Sequence, residues 1–486
     1  MTSETEQVQD AGAGPRPNPM PDRRYVFDIT ELVRFAHRGS RFGLSGIPRI
    51  LLLLAYYAIR LRPHHVKIGY FDDIDGFYKH FLDENILTDF EKLKNFFGET
   101  DQYIKSVKTW KYKRLSLSYM YHHTAYAISR YVKKSRRTLM GREITSSRRL
   151  DLGRGDCVVC LGASWNTPDL FRFLRKGELV KPGAADLVVL VPDMTPTLSE
   201  CVTGVVAVPQ FEHWLKEMML LGSSFLVNSD STLNDFENWC GRHDYNDVNI
   251  AKFAFGDEMI LLSGNNRIRA DVLSLEGCPY VLAVGPITGR KNGGNLIRAW
   301  RKLAARLPKD RLPLLVFAGN EAGDSVVRCG LNEDIAGWDK LRFICSPCDS
   351  DLHRLYKNCL FTVYPSLYEG WGLPISESLW HGKVCATSNV SSMPEVGGKR
   401  CEYFDPTDPD DMAQVIERLI LDTTYLDACA RRIDHAQLLT WEQAAKALLA
   451  TLDCSVPYYG NTLQGVTAKR PVALRVPVQF PESAAN

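Results

Sequence analysis

The sequence has no long apolar run and almost no net charge. Its 486 residues carry a formal charge of only +2, so no polyelectrolyte partner is indicated for the chain as a whole. The most apolar stretch, Ile47 to Ile59, contains Pro48 and Arg49; it is too short to span a bilayer and predicts a core helix. Residues 1–22 are polar and lack the apolar segment of a secretory signal, which predicts a disordered segment of a cytoplasmic protein.

The thirteen cysteines are odd in number and thinly spread, as is typical of reduced, buried thiols. Two Cys-x-x-Cys pairs occur, Cys157/Cys160 and Cys345/Cys348. The first pair lies in an apolar run that predicts a strand, where positions three apart face opposite sides of a sheet and cannot share a metal. We therefore expect no zinc site, and no other metal.

Strand and helix patterns alternate along two stretches of the chain, which predicts parallel sheets with crossover helices. The boundaries are expected at 23–270 for the first domain, which includes an irregular basic and aromatic insertion at about 61–155, and at 271–453 for the second, followed by an extended tail over 454–486. Ligands of such units bind outside the carboxyl ends of the strands, here in a cleft between two domains. The predicted strands are Arg24–Asp28, Asp156–Gly162, Leu187–Val191 and Ser224–Val227, then Tyr280–Val284, Pro313–Ala318, Leu341–Cys345, Leu360–Tyr364 and Val384–Thr387.

The most informative segment runs from Tyr364 to Glu377 and reads Tyr-Pro-Ser-Leu-Tyr-Glu-Gly-Trp-Gly-Leu-Pro-Ile-Ser-Glu. A strand, a tight Gly-x-Gly loop and a helix opened by Pro374 turn free backbone N–H groups toward one point, where a phosphate can bind. Glu369 is predicted on the loop and Glu377 on the first helical turn, both facing one crevice. The alternative is an ordinary turn with two solvated glutamates, but the surrounding motif favours a functional site.

A second motif, Gly-Pro-Ile-Thr-Gly-Arg-Lys-Asn at 285–292, follows a predicted strand. Arg290 and Lys291 therefore stand between a strand end and a helix predicted to start near Gly293. Two cations at a helix N-terminus are suited to binding a diphosphate. A solvated basic turn is the alternative, but the glutamate loop lies in the same predicted domain.

Several segments together resemble the donor domain of glycosyltransferase family 4, retaining enzymes with the GT-B fold of two Rossmann-like domains. They are Gly285–Asn292, Tyr364–Glu377, Ser391–Gly398 and Tyr403–Pro406. The resemblance covers about 275–450 strongly and the first domain loosely, at Asp28, Ser45–Ile47 and Val191–Asp193. It is nearest to bacterial enzymes of exopolysaccharide, capsule and O-antigen synthesis.

The resemblance implies an α/β protein with parallel sheets facing across a cleft, and a hexosyltransferase that uses a nucleotide-diphosphate sugar. Arg290 and Lys291 would hold the donor diphosphate, and Glu377 would bind the ribose hydroxyls. Glu369 would face the transferred sugar. GDP-mannose and UDP-hexoses both fit as donors, without any cofactor. The acceptor would be a saccharide, carried on polyprenyl diphosphate in the lipid-linked case.

Other roles are implied for backbone groups and for the first domain. Gly46 would belong to the loop that approaches the diphosphate from that domain. Many relatives carry His-Asp where this chain has Pro192-Asp193, so Asp193 is either a catalytic residue facing the cleft or a structural cap. The residues whose backbone amides would bind phosphate or sugar oxygens are Gly370, Trp371, Gly372 and Leu373.

Residues Lys105–Arg154 combine fourteen Lys or Arg with two acids and interleaved aromatic residues. Such a segment suits the inner face of a membrane, because cations bind anionic headgroups and aromatic rings settle at the interface. A solvated helical face is the close alternative, and nucleic acid is not expected.

Two other functions stay open on the sequence alone. The missing histidine is compatible with a catalytically impaired sugar-binding or assembly partner in polysaccharide synthesis. Another GT-B enzyme, such as a sugar-nucleotide epimerase or a phosphorylase, is disfavoured by the paired motifs. Asp73-Ile74-Asp75 resembles a short metal-binding signature of a different glycosyltransferase fold, but it lies outside any nucleotide loop and a surface turn is preferred.

Overall fold

The structure, a computed structural model, describes ten ranges of the chain: 23–37, 46–72, 77–81, 147–153, 155–166, 185–197, 208–262, 267–287, 289–319 and 338–455. Two α/β units emerge, each built on its own sheet. Several segments named above lie outside these ranges: 1–22, Asp73–Asp75, most of Lys105–Arg154 and most of the tail.

The first domain holds an eight-stranded sheet with the order β4-β3-β2-β1-β5-β6-β7-β8. Along this order, all pairs from β2 to β8 are parallel. The strands β3 and β4 pair antiparallel and form one edge of the sheet. The strands are β1 Arg24–Asp28, β2 Val66–Asp72, β3 Phe77–Phe81, β4 Ser147–Arg149, β5 Asp156–Cys160, β6 Asp186–Val191, β7 Ser224–Val227 and β8 Ile250–Lys252. The α-helices described in this unit are α1 Thr30–His37, α2 Ile47–Leu61, α3 Val208–Leu220 and α4 Asp230–Arg242.

The second domain holds a six-stranded, all-parallel sheet with the order β11-β10-β9-β12-β13-β14. Its strands are β9 Tyr280–Val284, β10 Leu314–Gly319, β11 Leu341–Cys345, β12 Thr362–Tyr364, β13 Cys385–Ser388 and β14 Glu402–Phe404. The α-helices described from here on are α5 Ala270–Leu273, α6 Gly293–Arg306, α7 Asp349–Asn358, α8 Leu373–Trp380, α9 Met393–Gly397, α10 Pro409–Leu421, α11 Thr423–Ala430 and α12 Trp441–Ser455.

The chain crosses between the domains twice. After β8 it passes into the second domain, and α12 returns to pack its apolar face, including Leu448 and Leu452, into the core that contains α2. The two crossings are hydrogen-bonded to each other: the N–H of Asp257 donates to the Leu439 carbonyl at 2.7 Å, and the N–H of Leu439 donates to the Asp257 carboxylate at 2.8 Å. Helix α12 therefore packs with the first domain, although the boundary prediction of 271–453 includes most of it in the second.

Most predicted strands agree with the structure within two residues. The strands β2, β3, β4, β8 and β14 were not predicted, and three of them lie in the stretch 61–155 that lacks clear periodicity. Cys157 and Cys160 pack into separate cores, as expected for positions three apart in a strand. Among the helices described, none is both long enough and apolar enough to cross a membrane.

Candidate active site

The two cations of the second motif, Arg290 and Lys291, lie in the connection between β9 and α6. Gly289–Lys291 form a 3₁₀ turn, and Asn292 caps α6 in the left-handed conformation with a φ of 59°. The Asn292 amide donates to the carbonyls of Pro365 at 3.0 Å and Pro406 at 2.7 Å. This amide fixes the turn against the loop after β12, so the cations are held beside the glutamate loop.

Glu369 is the direct partner of both cations. Its Oε1 accepts a hydrogen bond from Nζ of Lys291 at 2.7 Å and lies 2.5 Å from Nη1 of Arg290. Ser366 also donates to this oxygen. Arg290 reaches the same loop a second time, because its Nη1 donates to the Tyr368 carbonyl at 2.9 Å. Two adjacent cations thus form one partly buried cluster with the predicted sugar-facing carboxylate, which is distant from them in the sequence.

The pKa values of this cluster follow from burial and mutual charge. Burial alone would raise the pKa of Glu369, but Lys291 and Arg290 outweigh it and lower that pKa to about 2. Burial lowers the pKa of Lys291, opposed by Glu369. Tyr364, which accepts a hydrogen bond from Lys291 at 2.6 Å, has its pKa raised well above the usual value, chiefly by burial. Glu369 is therefore a carboxylate at neutral pH and not a general acid.

Two serines fix the backbone of the glutamate loop from behind. The hydroxyls of Ser391 and Ser392 donate to the Glu369 carbonyl at 2.6 and 2.9 Å. Ser392 also donates to the Trp371 carbonyl at 2.7 Å. The predicted segment Ser391–Gly398 therefore holds the Glu-Gly-Trp backbone in place.

The glycine loop leads into a helix N-terminus as predicted. Gly372 caps α8 with a φ of 111°, a left-handed conformation that favours glycine. Within the described ranges, no residue accepts a hydrogen bond from the backbone N–H of Trp371 or Gly372. The Trp371 ring packs against Phe255, with ring centroids 5.6 Å apart. The loop thus offers unpaired N–H groups followed by the positive end of α8, which starts at Leu373.

The first domain meets this loop at the end of β6. A Cβ at Gly370 would lie 1.9 Å from the Pro192 carbonyl oxygen and 2.7 Å from the Asp193 Cβ, so only glycine fits this contact. The Asp193 carboxylate accepts a hydrogen bond from the N–H of Thr195 at 2.9 Å, which is a local cap. Burial raises the pKa of Asp193, and the nearby Arg290 lowers it. Asp193 therefore caps its own loop and lies within electrostatic reach of the cation cluster, and its catalytic role stays a prediction.

Glu377 belongs to a second cluster. It is the fifth residue of α8, so it lies on the second helical turn and not, as predicted, on the first. Its Oε2 accepts a hydrogen bond from the Tyr356 hydroxyl at 2.9 Å. Burial raises the pKa of Glu377, and Arg49 from the first domain opposes that rise.

Among the predicted residues, the structure brings together Arg290, Lys291, Glu369 and Asp193, with Gly370 in contact with Asp193. Gly46 caps α2 with a φ of 64°, and the loop before it lies outside the described ranges. Sequence reasoning did not single out the serine, tyrosine and arginine partners of the two glutamates, which are Ser366, Tyr356, Tyr364 and Arg49. In the part of the chain that is described, no group of three or more His, Cys, Asp or Glu side chains is arranged to hold a metal.

The second domain also matches known sequences. Residues 265–437 match the family model of glycosyl transferases group 1. An O-antigen chain mannosyltransferase B of Escherichia coli is 34% identical over 168 residues, which are 34% of this chain and 42% of that protein. The serotype-specific mannosyltransferase WbdA of Escherichia coli is 31% identical over 198 residues, 39% of this chain and 24% of that protein. The chain thus spans less than half the length of these curated relatives.

Two solved structures match over most of the chain. Sucrose-phosphate synthase of Thermosynechococcus elongatus superposes with a TM-score of 0.53 at 14% identity, covering 88% of this chain and 98% of that one. HepE of Anabaena, solved with UDP and glucose, gives a TM-score of 0.53 at 15% identity, covering 88% of this chain and 99% of that one. The fold is GT-B. The predicted fold class is confirmed.

Proposed function

We propose that this protein is a retaining glycosyltransferase that moves a hexose from a nucleotide-diphosphate sugar to a saccharide acceptor in bacterial polysaccharide synthesis. One observation carries the proposal: Arg290 and Lys291, both partly buried, pair with the buried Glu369 beside the N-terminus of α8. The family match over 265–437 and the mannosyltransferase relatives support the same reaction class.

The cluster has the charge that a donor diphosphate requires. Breaking the sugar–phosphate bond leaves negative charge on the departing diphosphate, and fixed cations and N–H dipoles stabilise that charge. Arg290, Lys291 and the N–H groups of Trp371 and Gly372 supply them. A bound diphosphate would share the two cations with Glu369, whose carboxylate is then placed to bind a hydroxyl of the transferred sugar.

The proposed reaction follows from these charges. The bond between the anomeric carbon and the diphosphate oxygen breaks, and its electron pair leaves with the diphosphate. An acceptor hydroxyl forms the new bond on the same face of the sugar, and its proton passes to the leaving phosphate oxygen. Glu369 with a pKa of about 2 stays ionised, so it stabilises positive charge on the sugar and does not donate the proton. Asp193, across the contact with Gly370, would face the acceptor side.

The donor and acceptor are proposed by class. GDP-mannose is favoured over UDP-hexoses because the Escherichia coli relatives are mannosyltransferases. The acceptor is a saccharide, lipid-linked in our proposal, with the basic and aromatic segment Lys105–Arg154 contacting the membrane surface.

Binding and transfer assays test the proposal in sequence. Purified protein is screened by thermal shift against GDP-mannose, UDP-glucose and other nucleotide sugars, and the stabilising donor is then incubated with saccharide acceptors. NMR of the product reads the anomeric configuration. We expect one donor to bind and its configuration to be retained. Inverted product contradicts the retaining mechanism, and the absence of both transfer and donor hydrolysis favours the non-catalytic assembly partner instead.

A further inference from the structure

The backbone of Arg49 belongs to the first domain, and its buried side chain contacts the second. It lies in the first turn of α2 and is 4% exposed. Its Nη1 donates to Oδ1 of Asp349 at 2.9 Å, and its other terminal nitrogen donates to the Ile260 carbonyl. A buried ion pair adds little net stability compared with apolar side chains of similar volume, so stability alone does not account for it.

Asp349 joins three parts of the chain at one carboxylate. It is the first residue of α7 and is 3% exposed. While Oδ1 pairs with Arg49, Oδ2 accepts a hydrogen bond from the N–H of Leu262 at 3.1 Å. Helix α2, the first crossing between the domains and the start of α7 are therefore fixed relative to one another.

Helix α7 carries this position to the donor site. Tyr356, on the same helix, is fully buried and donates its hydroxyl hydrogen to Glu377 at 2.9 Å. A displaced α7 would carry this hydroxyl away from Glu377. Asp349 and Tyr356 thus link Arg49 to the residue proposed to bind the ribose hydroxyls.

The charge of Arg49 also favours the ionised form of Glu377. Burial raises the pKa of Glu377, Arg49 is the largest influence that lowers it, the Tyr356 hydroxyl also lowers it, and Asp349 raises it. His381 bonds the Glu377 carbonyl, and burial lowers its pKa. The titratable groups that act on the Glu377 carboxylate are Arg49, Tyr356 and Asp349. Without Arg49, protonation of Glu377 would occur at a higher pH.

We propose that Arg49 is a positioning residue for the nucleoside half of the donor: it fixes α7 through Asp349 so that Tyr356 presents the Glu377 carboxylate to the ribose hydroxyls. The inference rests on the proposed function. It assigns the cluster around Glu377 to the ribose and the cluster around Glu369 to the diphosphate. Loss of Arg49 should therefore weaken binding of the nucleoside half of the donor and leave binding of the diphosphate unchanged.

Calorimetry with UDP, GDP and inorganic pyrophosphate tests this separation. We expect R49Q to weaken the binding of the preferred nucleotide about tenfold, the size of one hydrogen bond to a charged group, while pyrophosphate binding stays at the wild-type value. The pH below which nucleotide affinity falls should be higher in R49Q than in the wild type. R49K, which keeps the charge, should restore that pH but only part of the affinity.

Arg62, at the other end of α2, provides a control. It pairs with Asp453 of α12 through two hydrogen bonds of 2.8 and 2.6 Å, so R62Q also breaks an ion pair at a packing interface. Neither Arg62 nor Asp453 acts on Glu377. We expect R62Q to bind nucleotide normally. Wild-type nucleotide affinity and pH dependence in R49Q overturn the inference.

Y356F covers the case in which R49Q does not fold, because it removes the last link and leaves the ion pair intact. Wild-type nucleotide affinity in Y356F likewise overturns the inference. A wild-type protein that binds pyrophosphate but neither nucleotide overturns the proposed function itself, together with the inference built on it.

Discussion

Nζ of Lys291 and Oε1 of Glu369 lie 2.7 Å apart although 78 positions separate the two residues in the chain. The pair joins the turn before α6 to the loop before α8. In the proposed function one partner binds the diphosphate and the other binds the sugar, so the contact places the two halves of the reacting bond side by side.

The first prediction concerns the cation. K291A removes a partly buried positive charge at the position where, in the proposed reaction, the leaving diphosphate gains negative charge. We expect turnover to fall on the order of a hundredfold or more, measured as donor-dependent transfer. K302A is the control, because Lys302 pairs with Asp410 on an exposed surface of the same domain at 2.8 Å. Equal turnover in K291A and K302A would refute the assignment.

The second prediction concerns the pH dependence of folding stability. The pKa of Glu369 is lowered to about 2 in the folded protein, so the stabilisation it provides is complete above its unfolded value and is lost as pH falls toward 2. E369Q lacks this titration. We expect the stability difference between wild type and E369Q to shrink by about 2 kcal/mol between about pH 6.5 and about pH 3. Urea unfolding at both pH values measures it, and a pH-independent difference contradicts it.

The third prediction concerns the backbone of the glutamate loop. S392A removes a buried hydroxyl that donates to the carbonyls of Glu369 and Trp371, and should cost about 1–2 kcal/mol of stability as well as most of the turnover. S378A is matched, because Ser378 is also buried and donates to the Lys383 carbonyl at 3.0 Å. We expect S378A to lose similar stability in urea unfolding but to keep its turnover. Similar turnover losses in both variants would remove the special role of Ser392.

The fourth prediction concerns the contact between the domains. G370A puts a methyl group where the Pro192 carbonyl oxygen is 1.9 Å away, so the loop or the first domain must move. We expect kcat to fall at least tenfold, because a small misplacement of reacting groups is costly. G241A is the control, since a Cβ at Gly241 meets nothing within 4 Å. If both variants turn over at the wild-type rate, the contact with Pro192 does not position the site.

The sequence predicts the site where the chemistry is local. Arg290, Lys291 and Glu369 lie in loops whose glycines, proline and flanking strands carry recognisable spacing, so the turn, the loop and both following helices were predictable. The left-handed Asn292 was not, because its conformation is fixed by carbonyls from Pro365 and Pro406 that are distant in the chain.

What the sequence did not predict depends on contacts between distant segments. Arg49 looks like an interruption in an apolar helix, and only the position of Asp349 in the folded chain gives it a partner. The Asp75-Gly76 pair after β2 is a hairpin signal, but the prediction of an irregular stretch there did not use it, and β2 and β3 pair antiparallel. The match of Pro192-Asp193 to His-Asp could not place Asp193, whose cap and nearby cation appear only in three dimensions.

The return of α12 has a consequence for dissecting the molecule. A fragment that begins at residue 271 would carry this helix away from the apolar surface of α2, leaving Leu448 and Leu452 in water and Asp453 without Arg62. Such a fragment should self-associate when expressed alone. When this fragment is co-expressed with residues 1–270, the two should instead reassemble, because α12 can again pack against the apolar surface of α2.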